Sequence, residues 1–422
     1  MSSKTSKSSS NIDIAIIGGG VAGSSAAIVL QRAGYSVALI EREPVFRDRV
    51  RGEACHPWGV KELMELDLKT YVDRAGGVEL PRWARYRQRE LEMSFEWGAA
   101  FPGSPPELGF SHPRLQESLL QGAIDAGVQV YRPDSANIAR HSDGWLLQIQ
   151  EEESAATIRA GFLIAADGKT SSTRKLWDGE SMVDPAHHQF GGMLVRGIDL
   201  PRDTAHQGYH ENGFSMVFPQ GNDEWRLYYV CSIEEARRFT GEKRVIRYLE
   251  ACAATLPPGA LDKAESAGPL AFFPNSHAGA SRINGPRAVA IGDAAGAGDP
   301  SQGHGMSLVW RDVRVLRDVL ASHGFEEAPA AFAIARRKYE HVLRTHAAWV
   351  APLTVALSDE DQQLQAQVEL AREEDGSALG YAGIFANGPD NLPTDDASRS
   401  RFFGEHLTQN SVEIPLTLDK YE

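Results

Sequence analysis

The sequence predicts an α/β fold in which a parallel sheet with helices is assembled from separated pieces of chain, an antiparallel β-sheet is inserted between them, and the C-terminal region is helical. Three observations carry that expectation. The β-branched run Ile14-Ala-Ile-Ile breaks into Gly18-Gly19-Gly20-Val21-Ala22-Gly23, the sign of a buried strand turning sharply into a helix. Two further apolar runs end in a similar way, at Ala166-Asp167-Gly168 and at Gly292-Asp293. Between those two, the pattern changes to short alternating strands separated by turn residues.

Taken in order, Asp13–Ile17 reads as a buried strand. A helix follows from about Ala22 to Ala33, stopped by Gly34, and a second strand, Ser36–Ile40, ends at Glu41. This βαβ unit is Rossmann-like. Gly18, Gly20 and Gly23 satisfy GxGxxG in the strand–turn–helix context that gives the motif meaning. Glycine lets the backbone turn tightly against a pyrophosphate. The helix N-terminus at Val21 and Ala22 then offers free amides and a positive dipole end. Glu41 stands where a carboxylate accepts hydrogen bonds from a ribose, with Arg42 beside it.

Pro113–Gly127 reads as a helix with Leu115, Leu119, Leu120 and Ile124 on one face, and Trp145–Ile149 with Thr157–Ile164 reads as a hairpin. Phe214–Pro219 and Trp225–Val230 are strands joined by Gln-Gly-Asn-Asp-Glu. Alternation sets Phe214, Met216 and Phe218 on one face, with Trp225, Leu227 and Tyr229 as the matching set on the next strand. A face of this kind either receives a bulky apolar molecule or packs on a helix as core, and aromatic stripes are more often core. Ala288–Ile291, leading to a helix from Gly305 to Leu320, restores the parallel pattern.

The expected domains are therefore a disordered tail (1–10), a discontinuous dinucleotide domain (11–80, 110–185 and 266–345), a substrate domain (81–109 and 186–265) and a helical, wrapping C-terminal region (346–422).

Composition narrows the function classes. The chain has 422 residues, more than one core usually holds, and is 42% hydrophobic and 24% charged, as soluble proteins are. Its net charge of −14 argues against nucleic acid and against an anionic membrane surface, and reads as a solubility feature. No run of about 20 apolar residues is present, so no membrane span is expected. Cys55, Cys231 and Cys252 lack metal-ligand spacing and form no disulfide framework, which favours a cytoplasmic setting. The 13 histidines are scattered, with no HExxH, and no metal site is expected.

GxGxxG alone does not separate FAD from NAD. From about residue 12 to 345, however, the chain resembles the p-hydroxybenzoate hydroxylase-like FAD monooxygenases, within the superfamily that includes flavin halogenases and geranylgeranyl reductases. The resemblance rests on the glycine motif, on Ala166-Asp167-Gly168 and on Gly292-Asp293, and implies FAD as cofactor with NADH or NADPH as donor. It implies that Asp167 and Gly168 contact FAD and the nicotinamide, that Asp293 holds the ribityl chain, and that Pro300 and the Gly303-His304-Gly305 loop pass the flavin ring. It also implies that Arg49, Arg51 and Arg114 face the pyrophosphate, where a guanidinium fork suits phosphate. Two departures stand out. Gly296 occupies a position where family members often carry histidine, and the Trp-x-Trp-x-Ile-Pro motif of tryptophan-type halogenases is absent.

The implied reaction is NAD(P)H- and O2-dependent hydroxylation or epoxidation of a hydrophobic or aromatic small molecule through a C4a-hydroperoxyflavin, in secondary metabolism. The alternative is a halogenase or double-bond reductase of the same superfamily. NAD(P)H docks beside FAD, or a separate flavin reductase delivers reduced flavin. Glu53-Ala-Cys55-His56-Pro57-Trp58 runs near the flavin in this scheme. His56 is the candidate proton donor or orienting group, against a structural role beside a proline turn. Cys55 reads as a small buried hydrophobe.

Overall fold

The computed structural model describes residues 5–6, 10–50, 52–151, 154–356, 358–374, 382–390 and 392–405. Ser10–Ile17 forms the central parallel strand, with Ile14, Ala15 and Ile16 all fully buried, as a sheet covered on both faces requires. Val37–Ile40 and then Gln129–Tyr131 lie parallel to it on one side, and Ser154–Ala165 and then Ala288–Ala290 on the other. The first half of Ser154–Ala165 also closes an antiparallel hairpin with Gly144–Glu151. Of the tail expected over 1–10, Thr5–Ser6 pairs with Ser154–Ala155 and Ser10 already belongs to the central strand; the rest lies outside the described residues.

Helix Val21–Arg32 covers the sheet together with His112–Asp125, which buries Leu115, Leu119 and Leu120 while Ile124 stays exposed. The segment Gly305–Thr354 is two helices meeting at Gly324, whose φ of 65° breaks the helical path. The 305–323 part buries Val309, Trp310, Val313 and Leu316 against the first helix, and its Trp310 Nε1 donates to Ser25 Oγ.

The inserted sheet runs Glu265–Ser266, His188–Arg196, Glu224–Cys231, Gly213–Pro219, Thr204–His210, Arg82–Arg87, Glu90–Glu96. One boundary is corrected: Ala271–Asn275, placed by sequence in the dinucleotide domain, pairs along His188–Gly192 and belongs to this sheet. One sheet face packs on helix Arg244–Ala253. The opposite face packs on Val50, Trp97, Val355 and helix Ala382–Asn387, while the C-terminal helices Asp359–Glu374 and Asp396–Phe402 pack on each other around Trp349. No described helix is long and apolar enough to cross a membrane.

Candidate cofactor and substrate site

The three glycine motifs converge. Gly18 has φ +103°, and a Cβ there would lie 2.4 Å from the Ala166 carbonyl oxygen. A Cβ on Gly23 would stand 1.8 Å from the Gly18 carbonyl oxygen. Gly292, with φ +56°, faces Ala22 across the gap. The first and third glycines of the motif are thus demanded by the protein itself. Gly20 is different: its nearest neighbour would be Gln116 Nε2 at 3.6 Å, so the space beside it is open toward the uncapped helix N-terminus.

Side chains brace this convergence. Glu41, buried at the end of Val37–Ile40, accepts from the Gly19 amide at 2.6 Å and from the Glu43 amide at 2.7 Å. Asp167 accepts from the amides of Ser172 and Thr173 at 2.9 and 3.1 Å and from the Ser171 and Thr173 hydroxyls, which folds the turn opened by Gly168 at φ +81°. Buried Arg174 donates to the Ala294 carbonyl at 2.8 Å and so ties the second motif to the third. The third motif is also held from behind. The Gly292 amide donates to Asp312 at 2.8 Å, and Asp312 is in turn bonded to Arg336 and Tyr339, all three buried. Burial pushes the Asp312 carboxyl up, against the pull of Arg336 and the donors around it. Half-buried Asp293, in the same turn, has no hydrogen-bond or ion-pair partner among the described residues.

His56 lies at the loop that follows. Its Nε2 is 3.1 Å from the Gln302 carbonyl oxygen, its Nδ1 is 3.0 Å from Glu107 Oε1, and a Cβ on Gly303 would strike its ring at 2.6 Å. His304 immediately precedes the 305–323 helix and accepts from Trp58 Nε1 at 3.3 Å; burial holds its ring well below the usual histidine range and keeps it neutral. Phe385, from Ala382–Asn387, reaches into this group, 4.4 Å from the His56 ring, 5.3 Å from His304 and 6.5 Å from Trp83.

Beside it lies the face of the inserted sheet opposite helix Arg244–Ala253. Phe190, Phe214, Met216, Phe218, Tyr228 and Val230 form one buried cluster there with Val50, Trp83 and Val355. The expected pairing of faces is corrected. Turn Gln220–Glu224 pairs Pro219 with Trp225, so Phe218, Met216 and Phe214 stand opposite Arg226, Tyr228 and Val230. Trp225, Leu227 and Tyr229 point the other way, into the core with Phe239 and Tyr248. On the apolar face, the Tyr228 hydroxyl donates to Glu53. Arg226 pairs with Glu53 at 3.0 Å and Asp48 at 2.9 Å, which anchors the chain on both sides of residue 50 to the sheet.

A family model described as an FAD binding domain matches residues 11–341. The chain belongs to that family. Among curated proteins, squalene epoxidase 3 of Arabidopsis thaliana is 27% identical over 342 residues, covering 75% of this chain and 61% of the relative. Menaquinone reductase of Mycolicibacterium smegmatis is 26% identical over 345 residues, covering 76% and 79%. The matches span about three-fifths to two-thirds of the squalene epoxidases' length. Among solved structures, p-nitrophenol 4-monooxygenase of Pseudomonas putida superposes with a TM-score of 0.73 at 20% identity, covering 90% of this chain and 99% of that one, a likeness of fold.

The residues present fit FAD. The open cradle at Gly20 and the uncapped amides after it suit a pyrophosphate, and the unpartnered Asp293 carboxylate suits hydroxyls of the ribityl chain. Gln116, missed by sequence reasoning, borders the cradle. The arginines are placed otherwise than the resemblance implied. Arg42 and Arg49 lie at the surface against Glu43, at 3.8 and 3.4 Å. Arg114 turns from the cradle to the sheet, where it meets Glu224 at 3.4 Å and the Gly221 carbonyl at 3.5 Å. It clasps two domains because Glu224 offers it a carboxylate at the turn. Arg51 lies outside the described residues.

Pro300 opens a short turn capped by Asp299, and Gly305 begins the helix, so the loop from Pro300 to Gly305 runs between His56 and that helix. Cys55 is fully buried with Sγ 3.6 Å from Ser307 Oγ, and burial drives its thiol far up, so it is inert filling. Lys61 is bonded to the Ala386 carbonyl at 3.2 Å.

Proposed function

We propose that the protein is an FAD-dependent monooxygenase that takes electrons from NADH or NADPH and uses O2 to hydroxylate or epoxidise a hydrophobic or aromatic small molecule. The observation that carries this reading is the buried apolar face of Phe190, Phe214, Met216, Phe218 and Tyr228, closed by Phe385 beside the loop from Pro300 to Gly305. Bound FAD supplies electron transfer and oxygen activation. The chain has to exclude water from that chemistry, hold an apolar reactant and place a proton.

Phe385, Trp83 and the sheet face serve the first two tasks. His56 serves the third. A carbonyl only accepts, so the Nε2 facing Gln302 carries hydrogen, and Nδ1 stands 3.0 Å from the Glu107 carboxyl as an ion-pair contact. The pair therefore holds a proton beside the loop. Gly20, the following amides and Asp293 position FAD; Asp167 and Glu41 act by folding the loops that do so. Phe214, Met216 and Phe218 face the substrate, and Trp225 and Tyr229 do not.

The test is anaerobic addition of NADH and then NADPH to the FAD-loaded protein while following the flavin band near about 450 nm. Bleaching by either supports a self-sufficient enzyme, and O2 consumption that rises with an apolar substrate supports oxygenation. Bleaching only when a separate flavin reductase is added supports a two-component system. The match to menaquinone reductase over 79% of its length favours one second reading, reduction of a double bond without O2. Product formation under anaerobic conditions would establish that reading instead, and halide dependence would establish halogenation.

A further inference from the structure

We infer that Asn275 is a recognition residue for the substrate, and that the substrate carries, on an otherwise apolar ring system, a neutral group that donates and accepts hydrogen bonds on adjacent atoms, such as an amide or lactam edge. The inference rests on the monooxygenase reading for the site and adds the chemistry of what the site holds.

Asn275 ends the strand Ala271–Asn275 and pairs opposite His188. Directly paired residues of antiparallel strands share a face. His188 alternates with Phe190, and Asn275 with Phe273 and Ala271, all packed in the apolar cluster, whereas Phe272 packs on the helix side and Pro274 is exposed. The Asn275 side chain thus faces the apolar side. It is fully buried, and neither its Oδ1 nor its Nδ2 has a hydrogen-bond partner among the described residues.

An amide buried with both ends unpaired is costly, and native proteins rarely tolerate it without a reason. Its cross-strand partner is already engaged: His188 Nε2 lies 2.9 Å from the Val355 carbonyl oxygen. The location is close to the flavin loop, because His187, one residue before His188, pairs with Asp299 at 3.0 Å, next to Pro300. A group that pairs with this amide must accept from Nδ2 and donate to Oδ1 together. An amide edge does both; a carboxylate would set an anion against Oδ1. A hydrocarbon would leave both atoms unpaired.

The test uses the FAD-loaded protein and three probes of one shape: 2-naphthamide, 2-naphthoate and naphthalene. Binding is read from perturbation of the flavin absorbance, which requires no turnover. The wild type is expected to prefer naphthamide to the other two by about 10- to 100-fold, two hydrogen bonds' worth. In Asn275→Leu the preference should vanish while naphthalene binding persists, and the ligand-free melting temperature should hold or rise, because an unpaired polar group has been removed. A wild type with no preference for naphthamide overturns the inference. So does a fall of several degrees in the melting temperature of the variant, which would make Asn275 a structural amide satisfied by buried water. Failure of the monooxygenase reading would show separately, as absent NAD(P)H-dependent O2 consumption with binding preferences intact.

Discussion

His56 is held between two acceptors, with Nε2 3.1 Å from the Gln302 carbonyl oxygen and Nδ1 3.0 Å from Glu107 Oε1. Both residues are buried, and the Glu107 carboxyl has no hydrogen bond among the described residues, its contact with Nδ1 being an ion-pair distance. A carbonyl oxygen only accepts, so this geometry sets hydrogen on Nε2, while Nδ1 faces the Glu107 carboxyl. Glu107→Gln removes that carboxyl while keeping the shape. It should lower turnover by about 100-fold, the range of a lost general acid, with FAD occupancy unchanged. His56→Ala is the harsher change, since it leaves Glu107 buried and unpaired at a cost of about 3–5 kcal/mol. Steady-state rates and urea melts of the two variants separate these effects.

The glycine loop separates folding from cofactor binding. Gly23→Ala would set a methyl 1.8 Å from the Gly18 carbonyl, so it should destabilise the ligand-free protein by more than about 3 kcal/mol and abolish FAD uptake. Gly20→Ala meets nothing closer than 3.6 Å and should leave the ligand-free protein within about 1 kcal/mol of wild type, while weakening FAD binding by intruding on the cradle. Denaturation and FAD titration of both variants check this; equal FAD affinity of Gly20→Ala and wild type would contradict the placement of the pyrophosphate.

The ribityl side depends on groups behind it. Arg336→Met strands the buried Asp312 carboxylate that holds the Gly292 amide, so it should cost about 3–5 kcal/mol. FAD should dissociate at lower urea than global unfolding in this variant. Coincident loss of FAD and fold would contradict a local role.

These dependencies mark what could be read from the chain. Gly18, Gly23, Gly168 and Gly292 were legible because positive φ or close backbone approach leaves glycine no substitute, and such needs are local. The parallel sheet and inserted strands followed from periodicity for the same reason. The face of Trp225 and Tyr229 was misassigned because strand order says nothing of register: the turn Gln220–Glu224, with Asn222 and Asp223 at positive φ, sets Phe218 against Arg226. Glu107, Gln116, Asp312 and Arg336 carried no local signal at all. Each matters through a partner on a distant part of the chain, as Glu107 does with His56, 51 positions earlier. Arg114 carried a misleading signal, since a helix-initial arginine suits phosphate and Glu224 alike.

Acid should weaken the inserted sheet. His206 is buried, with Nε2 2.9 Å from the Pro201 carbonyl oxygen and Nδ1 3.0 Å from the Tyr86 hydroxyl, and burial holds it down to about 4 from 6.5. The folded state binds this proton more weakly than the unfolded chain does. Stability is therefore full above pH 6.5 and falls between pH 6.5 and about 4, by roughly 3 kcal/mol from this group. His206→Gln should flatten that part of the stability–pH curve, as measured by urea midpoints across the window.

Phe385 packs on the His56 and His304 rings, so Phe385→Ala should admit water beside the loop from Pro300 to Gly305. NAD(P)H oxidation should continue while the fraction ending in oxygenated product falls, with the balance appearing as hydrogen peroxide. Unchanged coupling would contradict a role in excluding water.

The most direct measurement is mass spectrometry of products formed when the FAD-loaded, NAD(P)H-reduced protein meets isotopically labelled O2 in the presence of apolar aromatic and alkene substrates. The account expects one labelled oxygen atom in the product and none in the substrate left unreacted. A product that has gained hydrogen and no label, formed equally well without O2, would contradict it.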